Sequence, residues 1–180
     1  QYEAEEAFNS LKQVSTHNLA LGEDFVPFQS VVKYLGVYLD QDLSMNKQIF
    51  HLCRSCYLHL RKINIIRPLL SVTSTTQLVS SLVPSRLDYC NSVLSGVPST
   101  LLNRLQKVEN CAARVVLRKR KSHRATPLLK KLHWDPVDAR VEYKIACLSF
   151  RHFENTLPPY LSSVLSIYEP SRSLRSSSEK

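Results

Sequence analysis

Glycine is scarce in this chain, with three residues in 180. Loops that cradle phosphates need positive φ angles and close backbone approach to the ligand, which glycine supplies. Three glycines cannot build such a loop and also serve several turns, so P-loop and dinucleotide-binding chemistries are not expected. Long apolar runs are also missing. None approaches the roughly 20 residues of a membrane span, and no signal-like leader precedes the body of the sequence. The cysteines (Cys53, Cys56, Cys90, Cys111 and Cys147) are odd in number. Free thiols in a reducing, intracellular setting, nuclear or cytoplasmic, fit that count better than a disulfide framework. The six histidines are scattered and no nucleophile–base pairing stands out. The chain is therefore expected to hold no catalytic centre of its own. Its first residue is Gln1 rather than Met, and it reads as a segment of something larger.

What is present is positive charge. Lys and Arg number 24 against 15 Asp and Glu, a formal charge of +9. That balance points to an anionic partner, nucleic acid before an acidic membrane surface. Apolar residues make up 43%, enough for a folded core in one domain or two small subdomains.

Along the chain, a short helix around Glu3–Leu11 is possible. From Phe25 to Leu39, β-branched and aromatic residues surround Gly36, which suggests a strand or hairpin with a bulge or close approach at the glycine. Asp40-Gln41-Asp42 makes a turn. The remainder has helical periodicity. Ser44 can cap a helix to about Ile66, with Ile49, Leu52, Cys53, Cys56, Leu60 and Ile63 on one stripe. Arg67-Pro68 ends it. Ser74 with Gln77 matches a capping box for the next helix, which Pro84 should kink or split. Gly96 and Pro98 close that segment. Ser99 can cap a third helix, with Leu102, Leu105, Val108 and Ala112 facing inward. Thr126-Pro127 and Asp135-Pro136 each resemble a cap followed by proline at the first helical position. Pro158-Pro159 opens a last short helix. The expected class is mainly α: a short N-terminal β-strand or hairpin, then a bundle of about five to six helices.

Candidate sites are few. Cys53-x-x-Cys56-x-x-His59 has the look of zinc ligands, but a structural site needs four ligands, usually two pairs joined by a turn. Both cysteines lie on the apolar stripe, so buried core thiols are the better reading, and no metal site is expected. Asp40 and Asp42 lack the further carboxylates a two-metal site needs. Asp88 is expected to pair with a nearby arginine. The strongest electrostatic feature is Arg118-Lys119-Arg120-Lys121-Ser122-His123-Arg124, with five cations in seven positions. A loop so charged suits phosphate contacts. Arg54, Arg61, Lys62 and Arg67 form a second cluster, off the apolar stripe of the first long helix.

Several ordered stretches carry a family resemblance. They are Val32-Lys33-Tyr34-Leu35-Gly36-Val37-Tyr38-Leu39-Asp40, Cys53-Arg54-Ser55-Cys56 with His59-Leu60-Arg61-Lys62-Ile63, Ser85-Arg86-Leu87-Asp88-Tyr89-Cys90-Asn91, and Leu105 through Arg114. Thr126-Pro127-Leu128-Leu129, Leu132-His133-Trp134, Pro159-Tyr160-Leu161 and Pro170 through Arg175 continue the series. Over roughly residues 19–180 the chain resembles the region after the polymerase palm in reverse transcriptases of non-LTR (LINE-type) retrotransposons, the jockey and chicken-repeat group. The resemblance implies a divergent N-terminal segment (1–18), a primer-grip-like β segment (19–43), a thumb-like helical bundle (44–118), a basic loop with C-terminal helices (119–168), and a disordered Ser/Arg tail (169–180). Tyr34, Leu35, Gly36 and Val37 would form the primer-grip-like motif, with Leu35 and Gly36 near the primer end. Arg54, Arg61, Lys62, Arg67, Lys107, Arg114, Arg118, Lys119, Arg120, Lys121 and Arg124 would contact nucleic acid. The expected partners are an RNA template with its DNA primer, and the palm of the parent polymerase. No cofactor is expected in this chain, because the family's catalytic aspartates and their Mg2+ belong to the palm. Two departures stand out. Residues 1–18 lack the Asn-x-x-Lys-Thr stretch usual before the strand, and Pro84 replaces a more helix-compatible residue. The alternatives are a decayed relic without selected function, or a basic helical protein-interaction module.

Overall fold

The structure, a computed structural model, describes residues 19–21 and 24–164. The possible helix at Glu3–Leu11 and the Ser/Arg tail lie outside them.

Two antiparallel hairpins come first. Strands β1 (Leu19–Leu21) and β2 (Asp24–Val26) pair with each other, as do β3 (Val31–Tyr34) and β4 (Val37–Asp40). In the second hairpin Tyr34 pairs with Val37, so Leu35 and Gly36 alone make the turn. Both have positive φ, 45° and 87°, as a type I′ turn requires to match the strand twist. Gly36 is therefore a turn residue, not a bulge. Leu35 holds a conformation that costs an L-residue about 1–2 kcal/mol.

The helices follow: α1 (Asn46–Ile66), α2 (Val72–Leu82), α3 (Pro84–Asp88), α4 (Ser99–Val116), α5 (Thr126–Leu132), α6 (Val137–Phe153) and the single turn α7 (Pro159–Ser162). The chain is thus mainly helical behind a short β element. The stripe on α1 faces inward, with Ile49, Cys56, Leu60 and Ile63 buried. It packs along α4, whose Leu105, Val108, Ala112 and Val116 are fully buried. Truncating a buried leucine such as Leu105 to alanine costs about 2–5 kcal/mol. A smaller cluster of Ala113, Leu128 and Leu129 seats α5 on α4.

Helix starts differ from the sequence expectation by one to three residues. Ser71, not Ser74, caps α2: its extended backbone lets its side chain accept from the Ser74 amide at 3.0 Å. Ser44 is tied back to Asp40, donating its amide to Oδ1 at 2.6 Å and its hydroxyl to Oδ2 at 2.9 Å. Met45, with φ 59°, occupies the cap position of α1. Pro98, Ala125 and Pro136 precede α4, α5 and α6 in place of Ser99, Thr126 and Asp135. Proline has no amide to satisfy and a fixed φ, so it ends an extended approach as readily as it opens a helix. Pro84 splits the second helix: Val83 (φ −120°, ψ −70°) lies between α2 and α3.

Long-range polar contacts lock the bundle. Arg140 on α6 pairs with Asp88 on α3 at 2.9 Å and with the fully buried Glu109 on α4 at 2.6 Å. Gln106 donates to the second Glu109 oxygen at 3.0 Å and accepts from the Val137 amide at 2.9 Å, which fixes the start of α6. Burial pushes the Glu109 carboxyl up against the opposing pull of Arg140.

Candidate nucleic-acid interface

Helices α1 and α4 run side by side in the same direction. Arg104 lies near enough to Cys53 to act on its thiol, while at the other end Arg67 reaches Val115 and Val116. Residues off the apolar stripe therefore rise on either side of a shared groove. The spacing on each helix is about two turns, Arg54 to Arg61 and Lys107 to Arg114, which returns a side chain to the same face.

The groove between the C-terminal halves of the two helices encloses about 1190 Å3. Tyr57, Leu60, Arg61 and Asn64 line it from α1, and Lys107, Asn110, Cys111, Arg114 and Val115 from α4. Arg118, Lys119, Arg120 and Lys121 close one end. Eight of the eleven sequence-proposed cations thus meet at one place, and among the described residues no carboxylate lines it. Among the described residues the ion pairs all involve Arg140, so no groove cation is neutralised within that set.

The basic loop is not a free linker. The Arg114 guanidinium donates twice to the His123 carbonyl, at 3.2 and 3.0 Å. Arg118 donates to the carbonyls of Arg67 and Pro68, at 2.8 and 3.0 Å. These bonds consume carbonyls rather than charge, so both side chains remain cationic and hold Lys119–Lys121 at the groove's end.

Arg67 has a different place from the one expected. It is 4% exposed, and its guanidinium donates to Val115 at 3.1 Å, Val116 at 2.7 Å and Leu70 at 2.7 Å. Two of these are carbonyls of the last turn of α4, where the helix leaves acceptors free; the Val115 carbonyl also accepts from the Arg118 amide at 3.4 Å. Burial and the neighbouring Arg118 push its pKa down, yet guanidinium stays charged. Arg67 is a clamp between helix ends, with its donors turned away from any ligand. Arg54, Lys62 and Arg124 are exposed and lie outside the groove lining. Arg54 continues the Arg61 face; Lys62 points a helical step away.

The sequence-proposed hairpin residues do not join this groove. Tyr34, Leu35 and Gly36 are exposed and Val37 is buried. The Tyr89 hydroxyl donates to the Leu35 carbonyl at 2.7 Å, fixing the hairpin tip on the end of α3. The Tyr38 amide donates to Gln48 at 3.0 Å, near the start of α1. The groove begins at Tyr57, nine residues and about 13 Å further along that helix.

The cysteines do not assemble a metal site with the groove. Among the described residues no three His, Cys, Asp or Glu side chains come together to hold an ion. Burial raises the Cys53 and Cys111 thiols and pushes Cys56 up to about 11. They are protonated at neutral pH and act as small apolar groups under the groove. No helix among the described residues is long and apolar enough to cross a membrane.

Three groove residues have no place in the sequence reading of the site: Tyr57, Asn64 and Asn110. For Tyr57 the signal is in the spacing, since it sits between Arg54 and Arg61 on one face. Compared with known family models, curated proteins and solved structures, the chain matches none.

Proposed function

We propose that this chain is a nucleic-acid-holding segment of a non-LTR retrotransposon reverse transcriptase, gripping the template–primer duplex without catalysing synthesis. The observation that supports this reading is the convergence of Arg61 on α1, Lys107 and Arg114 on α4 and the run Arg118 to Lys121 on one groove, with no carboxylate in its lining among the described residues. Apart from the clamp Arg67, seven cations line the groove: Arg61, Lys107, Arg114, Arg118, Lys119, Arg120 and Lys121. Pairing most of them would engage about six phosphates. A row of fixed cations positions a backbone without reading sequence. RNA template with DNA primer is the proposed ligand, the palm of the parent polymerase the proposed neighbour, and the cell interior, nucleus or cytoplasm, the proposed location. Mg2+ and the polymerase aspartates would be the palm's contribution.

Fluorescence anisotropy with a labelled RNA–DNA hybrid, titrated across salt concentrations, tests the reading. Six phosphate contacts give a slope of log K against log salt of about −5; a flat dependence removes the nucleic-acid role. Primer extension on an RNA template checks the second half, since any turnover by the isolated chain contradicts it.

A protein-interaction module is the other reading, and one observation favours it. Tyr143, Phe150 and Phe153 stand exposed along one face of α6. Tight binding of a protein partner through that face, with no hybrid binding, would select it.

A further inference from the structure

The groove holds one feature that a purely phosphate-binding surface does not need. Tyr57 stands in its lining 43% exposed, and Arg61 and Lys107 line the same groove. Partial burial and the neighbouring Cys111, Cys53 and Cys56 raise its hydroxyl pKa, so one part of the side chain is packed and the rest open to solvent. Asn110 faces the same space. Its Oδ1 accepts from the Gln106 amide at 3.1 Å, which orients the side chain. At about 1190 Å3 the groove exceeds the roughly 300–1,000 Å3 of small-molecule sites and suits a stretch of polymer. A flat ring and cations lining one groove match two parts of a nucleotide, the base face and the phosphate.

We infer that the groove takes an unpaired nucleotide, with its base stacked on Tyr57 and its phosphates against groove cations such as Arg61 and Lys107. The favoured ligand is then single-stranded nucleic acid, such as template running off the end of a duplex. In a closed duplex every base face is already stacked, so the ring would have nothing to bind. This use of the groove requires that it be a nucleic-acid surface, as proposed above.

Anisotropy with two probes separates the two ideas: a ten-nucleotide uridine RNA and a blunt RNA–DNA hybrid. Tyr57→Leu keeps apolar bulk and removes the ring. It should weaken the uridine RNA about tenfold or more, in line with one lost base stack, and leave the blunt hybrid within twofold. Tyr57→Phe should bind the RNA as the wild type does, which shows that the ring and not the hydroxyl matters and guards against misfolding. If Tyr57→Leu leaves RNA binding unchanged, or weakens both probes equally, the base platform is wrong while the basic groove stands. If the wild type binds neither probe, the groove reading fails and the base platform fails with it.

Discussion

Replacing Arg67 by methionine isolates the clamp between α1 and α4. Methionine keeps much of the aliphatic bulk and removes three hydrogen bonds, to Val115, Val116 and Leu70. A hydrogen bond involving a charged group contributes about 1.5–3 kcal/mol, so three would sum to about 4.5–9 kcal/mol in isolation. Against this stands the desolvation of a guanidinium that is only 4% exposed, several kcal/mol that methionine does not incur. The balance predicts a net loss of about 2–4 kcal/mol, much of it from the stranded Val116 carbonyl. Urea unfolding followed by far-ultraviolet circular dichroism should show a lower midpoint at unchanged slope. Arg67→Lys should lose nearly as much, because an ammonium cannot present the planar fork. A loss under about 0.5 kcal/mol for Arg67→Met, or full retention in Arg67→Lys, would refute the clamp.

Three further outcomes follow from the packing. Arg140→Met leaves Glu109 buried without its cation, a loss of about 3–5 kcal/mol at pH 7. The Glu109 pKa is raised in the fold, so its contribution to stability is present at low pH and lost as pH rises through the folded value. Removing Arg140 raises it further, so the mutant's deficit should shrink on acidification from pH 7; a deficit independent of pH, read from urea midpoints, contradicts this. Leu35→Asn should stabilise the hairpin turn by about 0.5–1 kcal/mol, because asparagine tolerates the left-handed backbone that leucine resists; a lower thermal midpoint would argue against the strain. Ser71→Ala should cost about 1 kcal/mol through loss of the α2 cap, and Ser74→Ala less, on the same assay.

The α1 and α4 stripes were legible because a 3.6-residue period in apolar side chains is a local property, and Cys56, Leu60, Leu105 and Val108 all fall inside. Helix starts were less so. Ser71 and Ser74 are equally good caps on paper, and only the backbone entering α2 chooses between them. The basic clusters were visible, but the groove was not. It depends on α1 and α4 lying side by side, and the contacts that fix this join residues 48 and 49 positions apart. Arg67 looked like its neighbours in a charged run, yet it faces the helix ends, where three carbonyls await it. Asp88 was expected to find an arginine nearby; its partner, Arg140, lies 52 residues away. Tyr57 does not show in runs of charge because it joins Arg54 and Arg61 only through helical spacing.

The groove itself is tested most directly by the salt dependence of hybrid binding in two paired variants. Arg61 and Lys107 line it, and neither side chain makes a hydrogen bond or ion pair within the described residues. Replacing both by glutamine should leave thermal stability unchanged. The double variant should lower affinity and flatten the slope by about 1.8, or 0.9 per lost phosphate contact. Lys62→Gln with Arg124→Gln removes the same charge outside the groove lining, and the wild-type slope of about −5 should survive it nearly intact. Equal slopes in the two double variants would mean that net charge, and not this groove, holds the nucleic acid.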